Sequence, residues 1–224
     1  MNKKNTITFF LVLVLILIFW SSFALQEKFS GAVEGLKKYV EGHQVLGIFI
    51  FISLAVVSVI LGPVTSAPLI PPALIIWGKS ATFIFLLAGW MIGAGLTYLI
   101  GRNFGYPLVK IFVSSEKLIG WIHDIADKME FWLVLLFRFA TPAETGYVFG
   151  ILRYNFKKYF LVTLLAEIPT GLMLIFASEA ILEKEKTIFL AFAAGSILAI
   201  SFMYYLFKRR LKHLANRNRW EAAK

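Results

Sequence analysis

One arginine stands inside an apolar stretch of this chain, and its side chain is well suited to chemistry. Arg138 lies between Phe137 and Phe139 in the run 131–152, far from either end of that run. Inserting an arginine at mid-membrane depth costs about 2.5–3.5 kcal/mol, so we expect it to face a partner or water. A planar guanidinium matches phosphate oxygens in a bidentate fork. The functional interpretation is an anion-binding site, and the compatible structural alternative is an internal ion pair.

Two acidic residues, Glu144 and Glu167, also have apolar surroundings. Either could balance the charge of Arg138. Burial raises the pKa of a carboxyl group, whereas a neighbouring arginine lowers it. A carboxylate held between these effects could carry a proton in coupled transport, and the alternative is a permanently charged partner of Arg138.

Other chemistries find no support in the residues. The chain has no cysteine, which excludes disulfides, thiolate metal sites and cysteine nucleophiles. Its histidines, His43, His123 and His213, are scattered and do not form a metal-ligand cluster. Neither a nucleophile elbow nor a Walker loop occurs. We therefore expect a protein that is not an enzyme and that binds neither a metal nor a cofactor.

The composition indicates an integral membrane protein. Of the 224 residues, 59% are hydrophobic and only 16% are charged, and the mean hydropathy is +0.76. A soluble domain could not bury that much apolar surface. The net charge is +10, and much of the positive charge lies beside the apolar runs. This position indicates that the basic residues set the membrane topology and attract anionic head groups rather than bind nucleic acid. The residues concerned are Lys3, Lys4, Arg102, Arg153, Lys157, Lys158, Lys208, Arg209, Arg210, Lys212, Arg217 and Arg219.

Two of the apolar runs are interrupted by helix-breaking residues. The run 44–78 has no charged residue, and its prolines predict that no regular helix forms between Gly62 and Ala73. The run 131–152 contains Arg138. Irregular backbone at membrane depth requires shelter by protein or a water-filled cavity. We interpret the runs as two re-entrant hairpins that face each other across a polar groove, with a simple helix kink as the alternative. The residues predicted to line the groove are Gly62, Pro63, Pro68, Pro71 and Pro72 in the first hairpin, and Pro142 and Gly150 with Arg138 and Glu144 in the second.

The remaining apolar runs predict an all-α protein with about four full transmembrane helices besides these hairpins. The predicted spans are 5–26, 80–101, 159–178 with a kink at Pro169, and 187–207; amphipathic interfacial helices are predicted at 27–41 and 106–130. An uncleaved first helix is favoured over a signal peptide, although cleavage of residues 1–25 stays open. Basic residues place both termini in the cytoplasm. The hairpins then have opposite orientations and form a pseudo-inverted repeat.

The run 80–101 and the residues after it carry a series of glycines. Two GxxxG spacings occur among Gly89, Gly93, Gly95, Gly101 and Gly105. Such spacings allow two helices to approach closely. Packing within the chain is the preferred interpretation, and a homo-oligomer is the alternative.

Several of these segments together resemble the DedA/VTT superfamily of SNARE-associated Golgi proteins, over roughly 44–207. The resemblance rests on the proline-rich first hairpin from Gly62-Pro63 to Pro71-Pro72 and on the glycine-rich span that ends in 99–105. It also rests on 137–142 (Phe-Arg-Phe-Ala-Thr-Pro), on Gly150 with the basic-aromatic stretch 153–160, and on Ile168-Pro169. DedA proteins typically have one acid after the proline pair and a second acid before it, whereas this chain has Ala73 after the pair and an uncharged stretch before it. Glu144 stands where they tend to have a second arginine. The Tvp-type branch, which often lacks those acids, is the better match.

The resemblance implies lipid handling, with a phospholipid or a polyprenyl-phosphate-like lipid as partner. We therefore predict a multi-pass protein of the cell membrane that moves lipids or amphiphilic anions between leaflets, as a flippase or scramblase does. The alternatives are a non-transporting assembly factor and an ion-coupled carrier of small solutes. The predicted organisation is a transmembrane helix and amphipathic segment at 1–43, a VTT-like membrane domain at 44–207 and a basic cytoplasmic tail at 208–224.

Overall fold

The computed structural model describes Lys38, Val40, and residues 42–61, 65–125, 129–141 and 145–222; side chains are not described at 123–124 and 212–222. The chain divides into two compact units, residues 1–46 and 47–224. In the first unit, the His43 amide donates a hydrogen bond to the carbonyl of Val40. The predicted helix at 5–26 lies outside the described residues, as does almost all of the amphipathic segment at 27–41.

Helix α1 (Gln44–Leu61) ends immediately before Gly62-Pro63, where the sequence predicts the first break. Its 18 residues have the length and hydropathy of a membrane-crossing helix. One face of α1 packs through Phe51, Ala55 and Val59, while about half of its apolar side chains, Val45 and Phe49 among them, are exposed, as they are in a helix that faces lipid. The re-entrant path that we predict for this segment stays a prediction.

After a short 3-10 turn at Ala67–Leu69, helix α2 runs from Ile70 to Val109. We expected no regular helix before Ala73, but α2 includes Pro71 and Pro72. Both prolines occupy its first turn, where the backbone N–H groups have no partner within the helix and proline costs little. Two glycines interrupt α2: Gly78 has φ 74° and Gly105 has φ 64°. This backbone region is nearly closed to residues with a Cβ, which explains why the interruptions fall at glycine.

The second predicted break lies between two short helices. Helix α3 (Ser115–Ile125) is amphipathic, and α4 (Phe131–Ala140) and α5 (Gly146–Ile151) follow it on either side of the break. The 10 residues of α4 extend about 15 Å, roughly half the thickness of the hydrocarbon core. Neither α4 nor α5 can therefore cross a membrane alone.

Two long helices complete the chain: α6 (Phe156–Leu182) and α7 (Lys186–Ala222). Asn155 caps α6 by accepting a hydrogen bond from the Lys158 amide. Pro169 lies inside α6, which continues through it. Four stretches among the described residues are long and apolar enough to span a membrane: Gln44–Leu61, Ala67–Val109, Phe156–Leu182 and Lys186–Leu211.

The second unit, residues 47–224, has two apolar clusters. One joins α1 to the first half of α2 and to Ile175 of α6. The other joins α3, α4 and α5 to the second half of α2 and to α6 and α7, around Phe137, Phe149 and Tyr159. The described residues are almost entirely helical and contain no strand. The protein is an all-α membrane protein, and α2 and α6 contribute to both clusters.

Candidate functional site

Arg138 lies in the last turn of α4 with its side chain almost fully buried, 3% exposed. Its Nη2 donates to Oε1 of Glu167 on α6 at 2.5 Å. The Glu167 side chain is 11% exposed. Arg138 and Glu167 are the only charged residues that are buried in the described part of the chain. The ion pair offered by the sequence as one interpretation of Arg138 is therefore present, with Glu167 as the partner.

This ion pair uses only part of the guanidinium. Nη1 of Arg138 has a 3.5 Å contact with the Thr141 carbonyl, at the limit of a hydrogen bond. Its Nε is buried and has no partner among the described residues. A buried donor without a partner costs free energy, about 1–3 kcal/mol and more for a charged group. The Nε–H group is thus a donor that no acceptor among the described residues uses.

An exposed ion pair gives a useful contrast. Arg210 on α7 directs one nitrogen to both carboxylate oxygens of Glu130, at 2.9 and 3.1 Å. Both of these side chains are more than 40% exposed. Exposed pairs contribute roughly 0–1 kcal/mol, whereas breaking a buried pair costs about 3–5 kcal/mol because an uncompensated charge remains. We therefore expect the loss of one partner of the Arg138–Glu167 pair to destabilise the protein more than the loss of one partner of the Arg210–Glu130 pair.

Polar groups of α2 and α6 surround the same region. Tyr159 is fully buried and donates to the Ala94 carbonyl at 3.1 Å. Its hydroxyl interacts electrostatically with both Arg138 and Glu167. Thr97 also donates to the Ala94 carbonyl. Tyr159, Thr97 and the Ala94 carbonyl thus form a buried polar layer between α2 and α6, within electrostatic reach of the ion pair.

Helix α5 is held against α2 by contacts that only glycine permits. A Cβ added at Gly150 would lie 2.1 Å from the Tyr98 carbonyl oxygen, and one at Gly101 would lie 2.2 Å from the Tyr147 oxygen. At Gly146 it would meet Thr97 Oγ1 at 2.2 Å. These contacts hold α5, a helix of only six residues, against α2 and beside the polar layer.

The glycines of α2 also confirm the predicted packing within the chain. Cβ atoms at Gly89 and Gly93 would overlap Ala55 and Val59 of α1, at 2.5 and 2.7 Å. Gly95, by contrast, has no atom within 4 Å of an added Cβ. The first GxxxG spacing therefore packs on α1, and Gly101 of the second packs on α5.

The residues that flank the two predicted breaks approach each other. Tyr147, early in α5, donates to the carbonyl of Ile60, at the end of α1, at 2.9 Å. Trp90 of α2 donates to Ser66, which follows the first break, at 3.0 Å. The hydrogen bond between Tyr147 and Ile60 thus joins the two interrupted runs directly.

The predicted site residues are distributed unevenly over this arrangement. Arg138 and Glu167 are joined, and Gly150 is buried in the α2–α5 contact. Pro68 is exposed in the 3-10 turn, and Pro71 and Pro72 are half-buried at the start of α2. Their roles in binding stay predictions. Gly62, Pro63, Pro142 and Glu144 lie outside the described residues.

Sequence reasoning missed the tyrosines that tie these helices together. Tyr98 donates to the Tyr154 carbonyl at 2.5 Å, and Tyr147 and Tyr159 have the bonds given above. A signal was available, since a tyrosine hydroxyl in apolar surroundings usually needs a partner. Burial raises the pKa of Tyr154, which follows α5 and whose own hydroxyl has no partner among the described residues. The ion pair between Lys79 and Glu179, at 2.7 Å, was also missed.

Comparisons with known proteins place this architecture in a family. The family model of the VTT domain matches residues 62–180. No curated protein and no solved structure matches the chain. The matched region includes α2 to α5 and nearly all of α6, and with them Arg138, Glu167 and the glycine contacts of α5. Because the match covers more than half of the 224 residues, the chain belongs to the VTT-domain family, the family of the DedA and SNARE-associated proteins.

Proposed function

We propose that this protein moves lipids or amphiphilic anions between membrane leaflets, as a flippase or scramblase does, and that Arg138 holds the anionic head group. The observation that carries the proposal is a buried guanidinium in a membrane protein, with an Nε that has no partner in the described part of the chain. A charge at that depth is expensive, and intramembrane charges usually mark a substrate path.

The surroundings of Arg138 support a site for a head group. Arginine binds phosphate oxygens in a fork, and Nε with a terminal nitrogen is one of the pairs of donors that can form it. The glycine contacts hold α5 beside the polar layer, next to the break that follows α4. The hydrogen bond from Tyr147 to Ile60 connects this region to the end of α1. Two interrupted elements beside one buried cation are a typical transporter arrangement.

Location and family branch complete the proposal. We propose the cell membrane, with both termini cytoplasmic, because Lys208, Arg209 and Arg210 follow the last apolar stretch. The absence of an acid at Ala73 favours the Tvp-type branch. The protein then acts without enzymatic chemistry and recognises its substrate through charge and shape.

Reconstitution into vesicles tests the function. Vesicles with a fluorescent phospholipid in both leaflets are treated with an impermeant quencher, and the rate at which the inner-leaflet reporter becomes accessible is measured with and without a pH gradient. We expect the wild-type protein to accelerate this rate and Arg138→Ala to reduce it to that of protein-free vesicles. Arg138→Lys, which keeps the charge but loses the fork, should retain part of the activity.

Two further variants separate binding from folding. Arg138→Gln combined with Glu167→Gln removes both charges and leaves no unpaired ion, so this double variant should insert normally but move no lipid. Arg210→Ala removes an arginine from the exposed pair and should keep the wild-type rate. Wild-type vesicles that move no lipid, or an Arg138→Ala variant that moves it at the wild-type rate, would overturn the proposal; inactive protein that co-purifies with a partner would instead favour an assembly factor.

A further inference from the structure

The negative charge of Glu167 restricts the kind of anion that the site can accept. Arg138 and Glu167 are the only buried charged residues in the described part of the chain, and together they are neutral. A head group that binds Arg138 therefore meets a carboxylate already in contact with the same guanidinium. We propose that Glu167 is a specificity-determining residue that limits the substrate to head groups with one negative charge, namely phosphodiesters, and rejects phosphate monoesters and diphosphates. Of the two partners expected from the sequence, this inference selects the phospholipid and excludes the polyprenyl-phosphate-like lipid. This inference rests on the function proposed above.

The geometry of the ion pair supports such a filter. Glu167 occupies Nη2 through one oxygen, and Nε is buried without a partner in the part of the chain that the structure describes. A phosphodiester has two non-bridging oxygens that share a single charge, so one oxygen can accept a hydrogen bond from Nε while the head group adds only one negative charge. An anion at Nε lies beside the Glu167 carboxylate.

A second negative charge on the head group finds no compensation there. Like charges at short range in a poorly solvated site repel strongly. Arg138 is the only buried cation among the described residues, and Glu167 already neutralises it. Like-charge contacts are a common means of rejecting wrong partners. The carboxylate thus discriminates by charge between lipids that have the same acyl chains.

Competition in the wild-type protein is the first test. Vesicles contain a fluorescent phosphatidylglycerol reporter and increasing amounts of unlabelled phosphatidylglycerol or phosphatidic acid with identical chains. The assay is run at pH 9, where the monoester of phosphatidic acid carries close to two charges; the second pKa of a phosphate monoester is about 6 on a phosphorylated side chain in water and is higher at an anionic membrane surface. We expect that halving the reporter rate takes about tenfold more phosphatidic acid than phosphatidylglycerol. Equal potency of the two competitors would overturn the inference without any variant.

Substitution of Glu167 is the second test, and the measured quantity is the ratio of the rates for the two lipids. Glu167→Gln removes the repelling charge and should bring this ratio about tenfold closer to one. Glu167→Asp keeps the charge and should preserve the wild-type ratio. Glu130→Gln, which removes a carboxylate from the exposed pair with Arg210, is the matched control and should also preserve it.

The outcomes separate a failure of this inference from a failure of the proposed function. A merely structural role of Glu167 would lower both rates together and leave their ratio unchanged, which would overturn the inference while the proposed function stands. If Glu167→Gln does not fold, the competition in wild-type protein still decides. Wild-type vesicles that move neither lipid would remove the proposed function itself, and the inference with it.

Discussion

Substitution of Gly101 by alanine tests the close contact between α2 and α5. The added Cβ would lie 2.2 Å from the carbonyl oxygen of Tyr147, and 2.9 Å from its carbonyl carbon. Ordinary contacts begin near ~3.4 Å, so the two helices would have to separate by about 1 Å. The obstacle is backbone, which cannot rotate away as a side chain could.

The expected magnitude follows from two opposing effects. Alanine favours a helix over glycine by about 0.5–1 kcal/mol. Overpacking of a well-packed contact costs about 1–3 kcal/mol, and more where backbone must move. We expect a net destabilisation of about 2 kcal/mol, which lowers the Tm by about 4–8 °C for a chain of this length. Since α5 follows the break beside Arg138, lipid movement should fall as well.

Gly95→Ala is the matched control in the same helix, because an added Cβ there meets no atom within 4 Å. It should leave the Tm unchanged or raise it by about 2–4 °C, through helix propensity alone. Both variants are compared by thermal unfolding in one detergent, followed by tryptophan fluorescence. Equal Tm values for Gly101→Ala and Gly95→Ala would refute the packing argument.

Two other predictions concern the elements around the breaks. Tyr147→Phe removes the hydrogen bond to Ile60 and should lower the free energy of unfolding by about 0.5–1.5 kcal/mol; Tyr205→Phe, at an exposed side chain, should change nothing, and equal effects would argue against the bond. Gly78→Ala places a Cβ at φ 74° and should cost about 1–2 kcal/mol, measured as a lower Tm; Gly120→Ala, in open space within α3, should be neutral or stabilising, and a stabilising Gly78→Ala would contradict the backbone argument.

Much of the fold follows from local sequence. Long uncharged runs predict helices, since each buried backbone group must be paired within its own segment. Prolines and glycines predict where those helices end, and α1 and α4 do end at Leu61 and Ala140, immediately before the predicted breaks. The start of α2 differed from prediction because proline disrupts a helix interior but not its first turn.

The candidate site was predicted only in part. Arg138 was identified because a cation in an apolar run is costly and therefore conspicuous. Its partner could not be chosen between Glu144 and Glu167, since that choice depends on which face of α6 meets α4. The polar layer around Tyr159 was missed, because its hydrogen bonds join α6 to the Ala94 carbonyl of α2 across 65 positions of the chain.

The sequence alone determined three things: that this protein belongs in a membrane, at which positions its helices are interrupted, and that Arg138 is the cation that must be sheltered. These properties depend on hydropathy, proline and charge at single positions. Only the tertiary structure decided that Arg138 is neutralised by Glu167, that none of the described residues accepts from its Nε, and that glycines bring α5 against α2. Such contacts depend on how distant helices pack, and that packing is a property of the whole chain rather than of any one segment.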